Sequence, residues 1–322
     1  MFLKHYFTHY RGEWILLLAT LAAAFGWLFS KSAIAELPAV TFVSLRFGAA
    51  ALIFFPFAFR GLGRLSRKQW QQSLLVGLSF SLYLFFWVLG VKHTQELGKG
   101  AFLLSLAMLA APLIAWLIYQ ERPVRRFWLA LPIAVLGMIF LASSGLSSGG
   151  GFGLDTLFFL LTALWAGIQF VLNSRYAKSV PILPLTFIQL AMVGLSSGFY
   201  ALLAEDMPSS VGLMTWLWLA LSVLIGTNAR FLLQTFGQKL SDVGNGALIM
   251  ILEPVWTMLL SVMFMQEMLG TSKIIGCVLI LLALLLYRVK RLPKAASLHG
   301  KKSRKQVGIS LSSASPCIKK GD

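Results

Sequence analysis

The segment GALIMILEPVWTMLLSVMFMQE, residues 246–267, sets a glutamate and a proline side by side within an apolar run. About eight residues into a helix, roughly 12 Å at 1.5 Å per residue, Glu253 is too deep for so short a side chain to reach water along the helix. A charge at that depth in hydrocarbon costs about 3 kcal/mol or more, so it must face a protein interior or a wet cavity. Pro254 has no N–H to give and leaves a carbonyl one turn earlier free, which makes the pair a bent, polar spot. Depth suggests Arg46 as the partner, since the two levels differ by only about 5 Å across a core of about 30 Å. Such a pair either opens to take a zwitterionic or anionic solute or serves as a fixed tie between helices.

Further polar residues recur at helical spacing. Thr162, Trp165, Gln169 and Asn173 form one narrow stripe, and Thr227, Asn228, Arg230, Gln234, Thr235 and Gln238 share a broader face. Thr20, Trp27 and Lys31 lie on one face of the first apolar segment, with Trp27 and Lys31 spaced like Trp165 and Gln169. Stripes of this kind line solute pathways, and they also form interhelical hydrogen bonds worth about 0.6 kcal/mol each on average. Lys31 and Arg230 lie near helix ends, where long side chains reach the interface. Tyr83 and Trp87 offer aromatic walls for a cavity or ordinary packing.

Other chemistries find little support. There is no Gly-x-x-x-x-Gly-Lys-Ser/Thr phosphate loop. The serines of GLSSG (145–149) and GLSSGF (194–199) have no histidine base within a downstream helix, the four histidines being His5, His9, His93 and His299. Cys277 and Cys317 provide neither a disulfide framework nor zinc spacing, and no metal site or cofactor is expected.

The elements that must position these residues follow from composition. The 322 residues are 58% hydrophobic and 12% charged, with a mean hydropathy of +0.79, the profile of an all-α polytopic membrane protein. Ten apolar runs are long enough to be read as transmembrane helices, at 14–35, 38–59, 71–91, 98–119, 127–143, 153–174, 182–204, 214–236, 245–266 and 271–288. Ala33-Ile34-Ala35 resembles a signal-peptidase site, but Lys31 stands just before it and the apolar run is long for a signal core, so no cleavage is expected.

The net charge of +17 is distributed as the positive-inside rule predicts, which argues against a nucleic-acid partner. Lys4, Arg11, Arg60, Arg64, Arg67, Lys68, Arg122, Arg125, Arg126, Arg175, Lys178 and the basic tail fall on one side. Both termini are therefore expected in the cytoplasm. The tail, 291–322, is expected to be disordered; its LPKAASLHGKKSRKQ cluster orients the chain and could also hold anionic membrane lipid.

Two segments align without a gap: GKGAFLLSLAMLAAPLIAWLIYQE from Gly98 and GNGALIMILEPVWTMLLSVMFMQE from Gly244. Leu37-Pro38 similarly resembles Leu183-Pro184, and Gly90-Val91-Lys92 resembles Gly237-Gln238-Lys239. The chain reads as two five-helix repeats, 1–144 and 145–290. Because five is odd, the second repeat enters the membrane inverted, an architecture common to secondary transporters that bind substrate near the midplane.

These segments, with FGWLFSKSAIAELPAVTFVSLRFGAAAL and its Leu45-Arg46-Phe47, resemble the EamA-type family of the drug/metabolite transporter superfamily over about residues 13–290. The resemblance implies a bacterial inner-membrane transporter with a central substrate cavity and peripheral fifth and tenth helices. The chain departs from the family pattern in the first repeat: Met108 stands where the usual proline would fall, and Pro112 follows one turn later as the candidate bend. Unlike the four-helix multidrug exporters, which depend on an acid in their first helix, this chain has Lys31 there and no acid between Glu13 and Glu36. The function expected is export or exchange of small polar metabolites such as amino acids, driven by a gradient that could involve protons at Glu253. Lipid translocation or a channel on the same scaffold is the alternative, with an intramembrane enzyme behind both. One chain suffices to enclose the cavity, so a monomer is enough.

Overall fold

The computed structural model describes residues 10–93, 97–123, 125–142, 153–206, 208, 210–265 and 271–288. GLSSG (145–149), Glu267 and the basic tail lie outside them. Among the described residues the chain is all-α, with no strand. The helices are α1 Arg11–Ala33, α2 Ala39–Leu62, α3 Arg67–His93, α4 Leu97–Tyr119, α5 Arg125–Ala142, α6 Leu154–Tyr176 and α7 Ile182–Ala204. Then α8 Leu213–Leu221 passes through a π-helical segment, Ser222–Ala229, into α9 Arg230–Leu240. Finally come α10 Val243–Met250, α11 Glu253–Met265 and α12 Thr271–Arg288.

Seven helical stretches among the described residues are long and apolar enough to cross a membrane, including Leu213–Leu240 through its π segment and Val243–Phe264 across the α10–α11 break. Leu106–Tyr119 and Ile274–Leu286 are shorter apolar helices.

Short connections use the chemistry of helix starts. Ser66 and Gln69 form a capping box on α3: the Gln69 N–H donates to Ser66 Oγ at 3.2 Å and the Ser66 N–H to Gln69 Oε1 at 3.0 Å. Pro38 and Pro181 directly precede α2 and α7, so these two prolines correspond by position, whereas Pro184, matched to Pro38 by the sequence alignment, sits inside the first turn of α7.

At the end where α2 and α8 begin, two carboxylates hold the helix starts. Glu205, after α7, accepts the first N–H groups of α2 from Val40 (3.1 Å) and Thr41 (2.7 Å), along with the Thr41 hydroxyl (2.8 Å). Glu36, before α2, accepts the Gly212 N–H at the start of α8 (2.8 Å). Negative charge at a helix N-terminus satisfies orphan donors and opposes the positive end of the dipole.

Backbones approach closely where small residues allow it. A methyl group at Gly226 would stand 2.5 Å from the Cα of Gly26, so α1 and the π segment touch main chain to main chain. Further along, Gly237 of α9 receives Leu16 of α1, and a methyl there would stand only 2.6 Å from the leucine side chain. A like contact joins α3 and α6: Gly90 receives Phe159, and a methyl at Gly90 would stand 2.8 Å from its ring. The Gly90/Gly237 likeness read from sequence thus has a physical cause, a helix crossing that admits no Cβ. An aromatic core of Phe47, Phe80 and Phe231, with Phe80–Phe231 centroids 5.0 Å apart, fills the space between α2, α3 and α9.

Candidate functional site

Glu253 opens α11 directly after Ile251 and Leu252, which lie between the two helices. The break follows from Pro254, which has no N–H to offer the carbonyl one turn back, and its second place in α11 is where a helix tolerates it. The other candidate bend differs: α4 is helical through Pro112 without interruption.

The break presents the Glu253 carboxylate to two donors on other helices. Oε1 accepts from Trp27 Nε1 of α1 at 2.9 Å. Oε2 pairs with the Arg230 guanidinium of α9 at 3.1 Å, and the side chains of Arg230 and Glu253 are only 20% and 16% exposed. Arg230 also stands 5.0 Å from the ring centre of Phe231.

The pairing of Glu253 with Arg46 suggested by depth is therefore not the one formed. Arg46 instead spends three donors on neutral acceptors: Nε on Thr227 Oγ1 (2.6 Å), Nη1 on Ser30 Oγ (2.8 Å) and Nη2 on the Gly226 carbonyl (2.8 Å). The hydroxyls are pre-aimed, because Ser30 donates its own proton to Gly26 O and Thr227 donates to Ser222 O, five residues back along the π segment. Phe42 and Phe47 flank the guanidinium at 5.9 and 5.7 Å. Arg46 thus clasps α1, α2 and the π segment at the Gly26–Gly226 crossing. Arg46 lies 5.7 Å from the Phe47 ring, Arg230 5.0 Å from the Phe231 ring, and the two rings are 6.0 Å apart, so two guanidinium groups and one carboxylate share the region.

A second polar cluster lies further along α9. Gln169 of α6 donates to Gln189 of α7 (3.1 Å), Gln189 donates to Thr235 of α9 (3.4 Å), and Asn173 of α6 donates to Thr235 (3.3 Å) and to Gln238. All five side chains are buried. Along α8–α9, the Arg46 clasp, the ion pair and this network follow one another at Gly226–Thr227, Arg230 and Thr235–Gln238.

The remaining sequence candidates divide. Tyr83 stacks on Phe80 at 5.6 Å, and Trp87 packs against the same aromatic core. Lys31 is exposed near the end of α1, and Trp165 is half-buried on α6. Asn228 and Gln234 are buried; both amide atoms of Asn228, Gln234 Oε1 and Arg230 Nε have no hydrogen-bond partner among the described residues. Ser30 and Gln189 were not singled out in the sequence. The available signal for Gln189 was its position, as far past Pro181 as Arg46 is past Pro38.

A cavity of about 330 Å³ opens at the Glu121 end, lined in part by Gln72, Tyr119, Glu121, Arg175 and Lys178. Arg175 pairs there with Glu121 at 2.6 Å, about half-exposed, and stacks 4.5 Å over Tyr119. Among the described residues no three His, Cys, Asp or Glu side chains form a metal-binding group.

Apolar helices long enough to cross a membrane, packed around a mostly buried ion pair, define a polytopic membrane protein. Residues 10–143 and 154–289 each match the EamA-like transporter family, and the chain belongs to that family of membrane transporters within the drug/metabolite superfamily. Two proteins of Archaeoglobus fulgidus described as uncharacterized transporters are similar to it. One is 26% identical over 275 residues, covering 85% of each chain. The other is 25% identical over 276 residues, covering 85% of this chain and 95% of its own. A solved crystal structure of a protein superposes with a TM-score of 0.73 at 22% identity, covering 86% of this chain and 96% of the other, which shows the shared fold.

Proposed function

We propose that this transporter carries small polar metabolites such as amino acids outward, or exchanges them, by alternating access at a central cavity between two inverted five-helix repeats, 1–144 and 145–290. The observation that carries the reading is the Glu253–Arg230 pair held by Trp27, an acid and a base mostly buried among apolar helices. Such a pair can part to receive a ligand bearing both charges, the carboxylate going to Arg230 and the cationic group to Glu253. The second guanidinium, Arg46, favours a ligand with a carboxylate. In this reading ten helices span the cytoplasmic membrane, both termini are cytoplasmic by the distribution of Lys and Arg, and one copy is sufficient.

The test is a thermal-stabilisation screen of the purified protein against soluble metabolites, wild type beside Glu253→Gln. A ligand that binds only the folded state raises the melting temperature. One compound class that stabilises wild type and not the folded variant supports the reading. Translocation of labelled lipid in vesicles, with no soluble hit, would replace it with lipid transport.

A further inference from the structure

α1 and the α8–α9 helix are joined by backbone. Gly26 meets Gly226, Leu16 fills the notch at Gly237, and a methyl at Gly12 would fall 2.8 Å from Leu240 Cβ. The Gly26–Gly226 contact is backbone on backbone, and tightly packed contacts of this kind favour movement of the two helices together. The ties of this pair to α2 and to α6–α7 include side-chain hydrogen bonds, those of Arg46 and those of Asn173 and Gln189, beside the apolar packing of Phe47 on Phe231. The two sets lie on opposite sides of the ion pair, with Thr227 and Thr235 about 12 Å apart at 1.5 Å per residue.

Arg46 and Gln189 also occupy matching places. Each follows the proline that starts its helix by the same number of residues. Each reaches the first helix of its own half, Arg46 to Ser30 of α1 and Gln189 to Gln169 of α6, and each reaches a threonine of the α8–α9 helix.

We propose that Arg46 and Gln189 are counterpart gate residues: Arg46 latches the α8–α9 helix toward the Glu36 end, Gln189 with Asn173 latches it toward the Glu121 end, and the two latches release in turn. When the first opens, Glu253 is the carboxylate of the same region that can receive Arg46. The π segment, with its looser hydrogen-bond register, is the part of the helix that bends beside that latch. The inference rests on the transport reading above, and the experiment separates the two.

Cys277 and Cys317 are replaced by Ser, and spin labels are placed on exposed sites, Ala35 with Ala204 at the Glu36 end and Lys178 with Asp242 at the other. Distances are read by pulsed EPR without solute. Arg46→Ala is expected to add a population in which the Ala35–Ala204 distance is longer by about 5 Å, one helical turn, with Lys178–Asp242 unchanged; Gln189→Leu is expected to do the reverse. Thr227→Ala, which removes one acceptor and leaves the arginine, replaces Arg46→Ala if that variant does not fold. Unchanged distances in both variants, or both variants lengthening the same pair, overturn the gates. Solute flux is measured separately in proteoliposomes: opposite distance shifts without flux of any solute retain the gates and remove the transport reading, and flux without those shifts does the opposite.

Discussion

Arg230 and Glu253, 23 residues apart in the chain, meet at 3.1 Å where α10 breaks into α11. Removing one partner of a largely buried pair leaves a charge without compensation, which costs about 3 kcal/mol or more, whereas replacing both with apolar groups is close to neutral. Glu253→Gln is therefore expected to lower the melting temperature clearly, even though its amide oxygen can still accept from Trp27. The combination Arg230→Met with Glu253→Leu is expected to recover most of that loss and to transport nothing. Thermal unfolding and flux on the same preparations check both; flux in the double variant would make the pair structural only.

The Gly26–Gly226 crossing predicts a steric contrast. Gly226→Ala places a methyl 2.5 Å from a backbone atom, an overpacking with an expected cost of about 1–3 kcal/mol. Gly48 offers a control, since nothing lies within 4 Å of a methyl built there, and an alanine at a helical glycine gains up to about 1 kcal/mol. The two single variants should move the melting temperature in opposite directions.

Glu36 predicts a pH dependence. The Gly212 N–H and then the Thr215 hydroxyl hold its carboxyl below the ordinary value of 4.5. A group whose folded pKa is depressed stabilises the fold above its unfolded pKa and loses that contribution as pH falls through the folded one. Glu36→Gln is thus expected to melt below wild type at pH 7, with the difference shrinking as the pH is taken below 4.5. Parallel melting curves across that range would contradict the assignment.

The family, the all-α membrane class and a partnered, poorly exposed Glu253 were legible because each depends on local pattern: apolar length, a repeated motif, an acid where acids are expensive. The partner of Glu253 was not. Depth follows from counting residues, but which way a side chain points depends on helix winding, and the π segment between Leu221 and Arg230 alters the winding just before the residue concerned. Arg46 turns instead to the Ser30 hydroxyl and to the hydroxyl and carbonyl that the π turn presents. Ser30 was overlooked because a serine in an apolar helix commonly satisfies itself against its own backbone, and here it does so while also serving Arg46. The Pro38–Pro184 match failed for a related reason: two prolines stand close together at the start of α7, and only the helix boundary distinguishes Pro181, which precedes it, from Pro184 inside it.

The contact of α1 with α8–α9 also bears on how the chain comes to be made. The helix that α1 packs against is synthesised long after it, some 200 residues later, or roughly 10–40 s at 5–20 residues per second. Through that interval Gly26 and Leu16 face lipid or a chaperoning partner, and the first half cannot complete its own packing. The two halves are interlocked, so a chain cut in the 143–153 connection should assemble only when both pieces are produced together.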